Sequence, residues 1–461
     1  QKSKMASSIR TLNPATGKIE KEFDAYSSEQ INQYIDDANE LYKTWRFESF
    51  EERKAIMKRV ADEMRKQKPR LAALITTEMG KPLKESEIEI DYSANIIEYY
   101  ADNAEKFLAN TPLETEKGTA YIVSEPIGVL LGVMPWNFPF SQIARFAGPH
   151  IMAGNTVVLK TASNIPQCGI AFEEMFTAAG APKGLYKNLL MSGKDTDKII
   201  ENPKIVGVSL TGSEAAGAQV ASIAGKHVKP SVLELGGSDP MIVLDDADIE
   251  KVMSGTINGR LRNAGQACTS SKRIIVQEGI YDEYLKKITD HVNNMVVGDP
   301  TQPETVMGPV SSENALEGLL EQINDSTKKG ATVVTGGKRL EKDGFFLAPT
   351  ILTDLKPGMK GYDEEIFGPV VCIWKVKDIE EALQIANDTP YGLGASIYTE
   401  NVANAEKIAR RIDSGMVYVN KQVSSSPELP FGGVKHSGYG RELSKAGILE
   451  FVNKKLIMIA K

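Results

Sequence analysis

The feature that most constrains the fold is an alternation of short apolar segments with helical ones, which begins near Ile127. The apolar segments are predicted strands, whereas the segments between them carry helical periodicity, as in residues 171–179, which end at Gly180 and Pro182. The first alternating region contains the predicted strands 128–134, 156–160, 186–190 and 205–210, and a second region spans about 240–423. Such alternation predicts an α/β fold with parallel sheets covered by helices, in which ligands bind at the carboxyl ends of strands.

The first hundred residues are predicted to be mainly helical. A helix starts at Ser27 or Ser28, and helical patterns continue through residues 53–67, 71–79 and 88–107. A strand follows at 120–126, where Pro126 stops it. The last predicted strand, 455–460, is apolar on both faces and therefore needs a partner sheet.

Composition limits the class of protein. A chain of 461 residues suits two or three domains. The net charge of −7, with both signs interspersed, provides no basic surface for nucleic acid. No apolar run is long enough to cross a membrane and no secretory signal opens the chain, where residues 1–4 resemble a polar tail. Three widely separated cysteines indicate free thiols and a reducing compartment, so we expect a cytoplasmic protein. The histidines and cysteines show no metal-ligand spacing, so no metal site is predicted.

One cysteine lies in polar surroundings in the stretch 263–273. Cys268 is flanked by small and polar residues, and Arg262 and Arg273 are close in sequence. Cationic surroundings lower the pKa of a thiol, and the thiolate is the reactive nucleophile. Cys268 is therefore a candidate nucleophile with a lowered pKa, although a structural cysteine remains the alternative on this feature alone.

Two further residues are candidates for catalysis. Glu234 lies between two leucines, and burial there would raise its pKa towards the range of a general base. The alternative is a glutamate that forms a salt bridge or caps a helix. Asn137 lies between Pro135 and Pro139, which would hold its amide where it can stabilise an oxyanion, unless it is an ordinary turn residue.

These three segments, in this order, resemble the aldehyde dehydrogenase superfamily, and most closely the succinate-semialdehyde dehydrogenases. The resemblance extends from Thr11-Leu12-Asn13-Pro14-Ala15-Thr16-Gly17 to Pro430-Phe431-Gly432-Gly433-Val434-Lys435. It implies an aldehyde dehydrogenase-like α/β fold with a Rossmann-type cofactor domain, an α/β catalytic domain and a small oligomerisation β-element. The implied boundaries are 1–115 and 137–235 for the dinucleotide-binding domain, 236–430 for the catalytic domain, and 116–136 with 431–461 for the oligomerisation element. A homodimer or homotetramer is implied.

A glycine turn follows one of the predicted strands and opens a helix. The segment 211–217 would expose backbone N–H groups to an anion, although a simple helix cap is an equal alternative. Lys160 ends another strand and should face the ligand edge of the sheet. The resemblance implies that the cofactor is held by Trp136, Asn137, Lys160, Thr161, Ala162, Ser163, Gly212, Ser213, Leu235, Glu365 and Phe367. The sequence departs from the family at Ser238, where a lysine commonly follows Glu-Leu-Gly-Gly.

Ser163 bears on the choice between the two nicotinamide dinucleotides. Relatives that prefer NAD often have a glutamate at this position, which would repel the 2′-phosphate of NADP. A serine can donate a hydrogen bond to that phosphate, and Lys160 adds a cation nearby. NADP is therefore the expected cofactor and NAD is also possible. The alternative is that Ser163 only caps the next helix.

The substrate prediction also rests on the resemblance. Arg145, Arg262 and Ser425 match positions that bind the substrate carboxylate in succinate-semialdehyde dehydrogenases, although each alone would suit a surface residue. The implied reaction is oxidation of succinate semialdehyde to succinate through a cysteine thiohemiacetal and a thioester. The alternatives are another small semialdehyde or a broad range of aldehydes, a coenzyme A-acylating enzyme, a catalytically silent relative, and a cysteine hydrolase, which would need a histidine base.

Overall fold

The structure is a computed structural model that describes residues 8–461, so the polar tail expected at residues 1–4 lies outside it. The α-helices, numbered in chain order, are α1 Ser28–Trp45, α2 Phe50–Lys66, α3 Lys68–Met79, α4 Leu83–Phe107, α5 Ser141–Met152, α6 Pro166–Ala178, α7 Thr196–Glu201, α8 Glu214–Lys226, α9 Ile249–Thr256, α10 Glu278–Asn293, α11 Glu313–Lys328, α12 Lys360–Asp363, α13 Ile379–Asn387, α14 Val402–Ala409 and α15 Ser444–Ile448.

The β-strands are numbered in the same way. They are β1 Arg10–Asn13, β2 Lys18–Glu22, β3 Thr111–Leu113, β4 Gly118–Pro126, β5 Val129–Met134, β6 Thr156–Thr161, β7 Tyr186–Asn188, β8 Ile205–Thr211, β9 Ser231–Glu234, β10 Pro240–Val243, β11 Arg273–Gln277, β12 Thr332–Thr335, β13 Thr350–Thr353, β14 Val370–Val376, β15 Ser396–Tyr398, β16 Tyr418–Val419, β17 Gly438–Tyr439 and β18 Val452–Ala460.

A six-stranded sheet has the order β17-β9-β8-β5-β6-β7, in which β5 to β9 are parallel and β17 is antiparallel. Its central strand β5 is apolar throughout because it is buried on both faces: Leu130 packs into one hydrophobic cluster, and Val129 and Leu131 into another. The register aligns Met134 with Thr161 on the adjacent strand. The carboxyl ends of the parallel strands therefore lie along one edge of the sheet.

The second alternating region forms a seven-stranded sheet of order β12-β13-β14-β11-β10-β15-β16. All of its pairings are parallel except that of β12 with β13. The parallel α/β architecture predicted from the alternation is thus present in both regions. The chain leaves the six-stranded sheet after β9 and enters the seven-stranded sheet at β10, and the Gly236-Gly237 segment connects the two strands.

The N-terminal helices begin and end at residues that explain their bounds. Ser27 caps α1 in a reciprocal capping box with Gln30, which selects Ser27 over Ser28 as the start. Gly80 ends α3 in the left-handed conformation, with φ of 92°. Helix α4 begins at Leu83, five residues before the predicted 88, because its first turn is polar apart from Leu83 and carries little periodic signal.

A three-stranded antiparallel sheet of order β18-β4-β3 stands apart from the two larger sheets. The predicted terminal strand therefore has a partner within the chain, since β18 pairs with β4 along nine residues. Leu456 and Ile459 nevertheless remain 60% and 56% exposed. The segment 116–136, expected to form one element, is divided: β4 belongs to this sheet, whereas β5 is central in the six-stranded sheet because it is buried on both faces.

None of the helices in residues 8–461 is long and apolar enough to cross a membrane. Within the same residues, no cluster of three or more histidine, cysteine, aspartate or glutamate side chains could hold a metal ion.

Candidate active site

Cys268 lies in a loop that connects a tight turn to β11. The turn contains Asn263 and Ala264, both in the left-handed region, with φ of 56° and 52°. The buried Arg260 connects this region to β14: its Nε donates to the carbonyl of Val370 at 2.7 Å, and its Nη1 donates to Ser270 Oγ at 2.9 Å. The backbone around the thiol is therefore fixed by a buried guanidinium group.

The electrostatic environment of Cys268 differs from the sequence prediction. Burial raises the pKa of its thiol to about 12, and the charges of Lys272 and Arg145 only partly oppose that effect. Arg273 does not approach the thiol, since its guanidinium donates to backbone carbonyls that include Ser238 O at 2.8 Å. The predicted lowering of the pKa is wrong because desolvation of the thiol outweighs the effect of the nearby cations.

Two donors face the region of Cys268. Asn137 is buried, and its Nδ2 donates to the carbonyl of Gln266 at 3.2 Å, which leaves the second amide hydrogen available. The backbone N–H of Cys268 donates no hydrogen bond within residues 8–461. Preorganised donors of this kind can stabilise negative charge on a bound oxygen.

Glu234 ends strand β9 and is buried, with both carboxylate oxygens lacking a hydrogen-bond partner. Desolvation raises its pKa well above the ordinary value, and the carboxylate of Glu442 adds to the effect, while the positive charge of Arg145 opposes it. Within residues 8–461 its carboxylate forms no salt bridge and caps no helix, so both alternative interpretations of this glutamate are wrong. An unpartnered carboxyl group with a raised pKa suits a general base.

A cavity of about 230 Å³ lies beside Glu234 and Cys268 at the carboxyl edge of the six-stranded sheet. The indole ring of Trp136 packs edge to face against the ring of Phe367, with 5.8 Å between the ring centres. Most of the residues predicted to contact the cofactor line this cavity: Trp136, Asn137, Gly212, Ser213, Leu235, Glu365 and Phe367.

The chemistry of this cavity fits a dinucleotide. A Cβ atom at Gly212 would meet only Leu210 Cδ2, at 3.7 Å, so the turn is open to a ligand. Ser213 does cap α8 through Ala216, as one interpretation expected, yet the first-turn N–H groups of Glu214 and Ala215 have no partner in residues 8–461. The start of α8 therefore combines a helix cap with free donors for an anion.

The segment 160–163 lies outside this cavity but at the same edge of the sheet, at the end of β6. Lys160 is buried with a lowered pKa caused by desolvation, and its Nζ donates to Thr161 O at 2.8 Å. The N–H of Ala162 donates to Met134 O at 3.0 Å. Ser163 does not cap the next helix, since α6 starts after Ile165 without a side-chain cap. The alternative interpretation of Ser163 is therefore wrong.

Glu365 enters the cavity from the loop before β14. Its Oε2 accepts hydrogen bonds from the N–H of Gly237 at 2.7 Å and from Lys272 Nζ at 2.9 Å. The same ammonium group donates to the carbonyls of Ala267 at 2.7 Å and Cys268 at 2.8 Å. Although position 238 lacks the lysine common in the resembling family, a buried cation is thus present between Glu365 and the Cys268 loop.

A second cavity, of about 240 Å³, also contacts Cys268 and brings together Arg145, Arg262 and Ser425 from separate elements. Arg145 is buried, its Nε donates to Glu442 Oε2 at 2.7 Å, and its guanidinium lies 3.9 Å from the Phe431 ring centre. Arg262 is 44% exposed, with Nε 3.5 Å from a carboxylate oxygen of Glu85. The Ser425 hydroxyl is hydrogen-bonded to that of Tyr92.

Four residues of the site were missed in the sequence. Tyr92 and Glu442 hold two of the predicted substrate residues, Lys272 holds Glu365, and Gln142 lines both cavities with its Oε1 buried and unpartnered. Tyr92 lies in α4, far from the motifs in sequence, and Glu442 lies seven residues after Lys435 but outside the motif and outside any named helix or strand, so no local pattern marks either residue. Lys272 is within the cysteine stretch, but only the fold shows that it is buried.

The arrangement supports nucleophilic chemistry without a histidine. Neither cavity is lined by a histidine. His150 is buried against the rings of Phe146 and Phe451, and His436 pairs with Glu214 at the surface. A cysteine hydrolase with a histidine base therefore lacks its base at this site.

Comparison with known proteins agrees with this geometry. The profile of the aldehyde dehydrogenase family matches residues 1–457. A succinate-semialdehyde dehydrogenase [NADP(+)] of Deinococcus radiodurans is 46% identical over 97% of this chain and 94% of its own. A probable succinate-semialdehyde dehydrogenase [NADP(+)] of Synechocystis sp. is 42% identical over 98% of this chain and all of its own. A crystal structure of succinic semialdehyde dehydrogenase from Streptococcus pyogenes with NADP+ superposes with a TM-score of 0.96, at 44% identity, covering 98% of this chain and all of that one. The resemblance seen in the sequence is confirmed: the chain belongs to the aldehyde dehydrogenase family.

Proposed function

We propose that this chain oxidises succinate semialdehyde to succinate, with NADP as the preferred cofactor and NAD as a poorer one. The observation that carries the proposal is the cavity in which Arg145, Arg262 and Ser425 surround the approach to Cys268. Two guanidinium groups and a hydroxyl suit a carboxylate at the far end of a short aldehyde. The relatives described above are named as succinate-semialdehyde dehydrogenases, and one of them has a crystal structure in complex with NADP+, which supports the same substrate and cofactor.

Cys268 is the proposed nucleophile. Because burial raises the pKa of its thiol, formation of the carbon–sulfur bond must be accompanied by release of the thiol proton to solvent water. The aldehyde oxygen becomes an oxyanion in the same step. Asn137 and the backbone N–H of Cys268 are the donors available to hold that oxyanion.

The cofactor would be held by the eleven residues named from the sequence, with Gly212, Ser213 and the start of α8 at its phosphates and Glu365 at a ribose. When bound, NADP supplies the nicotinamide that accepts hydride from the thiohemiacetal carbon. The chain's own part is to hold the thiohemiacetal on Cys268. Loss of the hydride leaves a thioester on the same sulfur.

Glu234 is the proposed base for hydrolysis of that thioester. Its raised pKa and two unpartnered oxygens let it take a proton from water while the water attacks the thioester carbon. The carbon–sulfur bond then breaks, which releases the carboxylic acid and returns the Cys268 thiol. A coenzyme A-acylating enzyme would not need this carboxylate, so Glu234 favours hydrolysis.

Substrate selection would depend more on Arg262 than its exposure suggests. Arg145 already pairs with Glu442, so part of its charge is neutralised. Its terminal nitrogens make no hydrogen bond to residues 8–461 and remain available to the substrate carboxylate. Among residues 8–461, the guanidinium of Arg262 pairs only with Glu85, through a long contact of 3.5 Å, and can turn to the same anion.

The expected domain roles, assembly and location also remain proposals. The six-stranded sheet suits the cofactor domain and the seven-stranded sheet the catalytic domain, while the exposed apolar residues of β18, such as Leu456 and Ile459, suit contact with a second copy in a homodimer or homotetramer. A cytoplasmic location is supported by Cys168, Cys268 and Cys372, which are all unpaired.

The test is direct. The protein is mixed with NADP or NAD and a panel of aldehydes, and formation of the reduced cofactor is followed by absorbance. Succinate semialdehyde with NADP should give the highest kcat/KM. A higher value for a neutral aldehyde of the same length would favour the alternative of a broad-range aldehyde dehydrogenase, and a higher value for a different semialdehyde would replace the substrate.

A further inference from the structure

Lys272 is a buried lysine whose donor capacity is fully used. Its side chain is 1% exposed, and its Nζ contacts Ala267 O at 2.7 Å, Cys268 O at 2.8 Å and Glu365 Oε2 at 2.9 Å. An ammonium group has three N–H donors and no acceptor, so these contacts complete its set. One atom therefore connects the nucleophile loop with a carboxylate of the neighbouring cavity.

The contact with Ala267 fixes the direction of a donor on its other side. The carbonyl of Ala267 and the N–H of Cys268 belong to the same peptide unit, and this unit is trans. In a planar trans peptide the N–H points opposite to the carbonyl. Lys272 holds the carbonyl, so the free N–H of Cys268 is directed away from Lys272 and cannot rotate without breaking that hydrogen bond.

The contact with Glu365 acts in a similar way. Lys272 and the N–H of Gly237 both bind Oε2, whereas Oε1 accepts no hydrogen bond in residues 8–461. A Cβ atom at Gly236 would lie only 2.7 Å from Oε1, so the backbone leaves room for this oxygen beside the cavity. The carboxylate is thus held in one orientation with one oxygen available to a ligand.

We propose that Lys272 is a positioning residue that aligns the oxyanion-binding peptide of Cys268 and the cofactor-binding carboxylate of Glu365 with a single ammonium group. This inference rests on the proposed function of the two residues that Lys272 orients. Lys272 itself touches neither substrate nor cofactor. It acts on acylation through the peptide and on cofactor affinity through Glu365.

The effect on cofactor affinity is tested with Lys272→Met, Glu365→Gln and the double variant, by titrating each with NADPH and following its fluorescence. Lys272→Met should raise the Kd about tenfold when Glu365 is present and less than twofold in the Glu365→Gln background. The double variant removes both charges together, so it leaves no unpaired buried charge and provides a folded comparison if Lys272→Met is unstable.

The effect on acylation is tested by single-turnover formation of NADPH at saturating cofactor. Lys272→Met should slow this step about 10- to 100-fold while the KM for the aldehyde changes less than threefold, because the peptide donor acts on the oxyanion and not on the bound aldehyde. Arg273→Lys is the matched control. Arg273 is equally buried and adjacent but has no contact with Glu365, so its effect on the Kd should be the same in both Glu365 backgrounds.

Three outcomes would each contradict a different part of the proposal. If Glu365→Gln leaves the Kd for NADPH unchanged, the proposed cofactor site is wrong, and the cofactor role of Lys272 with it. If Glu365→Gln weakens binding but Lys272→Met weakens it equally in both backgrounds, Lys272 does not act through Glu365. If Lys272→Met acylates at the wild-type rate, the alignment of the Cys268 peptide is not its role.

Discussion

Replacement of Arg262 by Ala gives the clearest test of how the site recognises its substrate. Arg145 is less suitable, because its removal would leave the buried Glu442 carboxylate unpaired and destabilise the fold by about 3–5 kcal/mol. Arg262 is 44% exposed and its contact with Glu85 is 3.5 Å long. Glu85 is largely buried, but its carboxylate keeps the N–H of Asn263 as a partner at 2.8 Å, so loss of the long contact with Arg262 should cost only about 1 kcal/mol and the folded protein should be retained.

The size of the effect follows from the kind of contact that would be lost. A hydrogen bond to a charged group contributes about 1.5–3 kcal/mol, which corresponds to about a 10- to 150-fold change in kcat/KM. Because Arg262 is partly exposed, water screens its charge and the lower end of this range is expected. The loss should appear mainly in KM, since the substrate carboxylate is far from the bonds that change.

The assay compares succinate semialdehyde with butyraldehyde, a neutral aldehyde with the same number of carbons. For Arg262→Ala, kcat/KM should fall about tenfold for the semialdehyde and less than twofold for butyraldehyde. Arg411→Ala is the control, because Arg411 is similarly exposed and pairs with Glu380 far from both cavities. An equal loss for the two aldehydes would show that Arg262 supports the loop and does not read the carboxylate.

Four other predictions concern the chemistry, the cofactor and the oxidation of Cys268. Cys268→Ala should abolish oxidation of aldehydes. Glu234→Gln should form NADPH in one rapid turnover and then stall at the thioester, which mass spectrometry detects. Normal steady-state turnover of Glu234→Gln would remove Glu234 from the role of base. Ser163→Glu should lower kcat/KM for NADP more than for NAD, and the opposite ratio would contradict the role of Ser163. Peroxide should produce no disulfide at Cys268, since Cys168 and Cys372 are buried in the core; a peptide map with such a bond would refute this.

Local patterns were sufficient for most of the fold because strand alternation, caps and prolines act over a few residues. Ser27 and Gly80 mark helix ends in the sequence and in the structure. The thiol pKa could not be read in this way. The charge of Arg273 is visible in the sequence. However, the direction in which its side chain points and the desolvation of Cys268 both depend on packing between distant segments. Glu442 illustrates the same limit, since it reaches Arg145 across almost 300 residues of chain.

The two cavities that contact Cys268 have only Gln142 and Cys268 in common among their lining residues in the described part of the chain. In the proposed function, one cavity receives the part of the aldehyde beyond its reacting carbon, and the other receives the dinucleotide. Ser425 lines only the first of these cavities and Ser163 lines neither, so we expect a substitution at Ser425 to alter the choice of aldehyde without altering the choice between NADP and NAD, and a substitution at Ser163 to do the reverse. Gln142 and Cys268 line both cavities, so we expect a substitution at either residue to affect both choices.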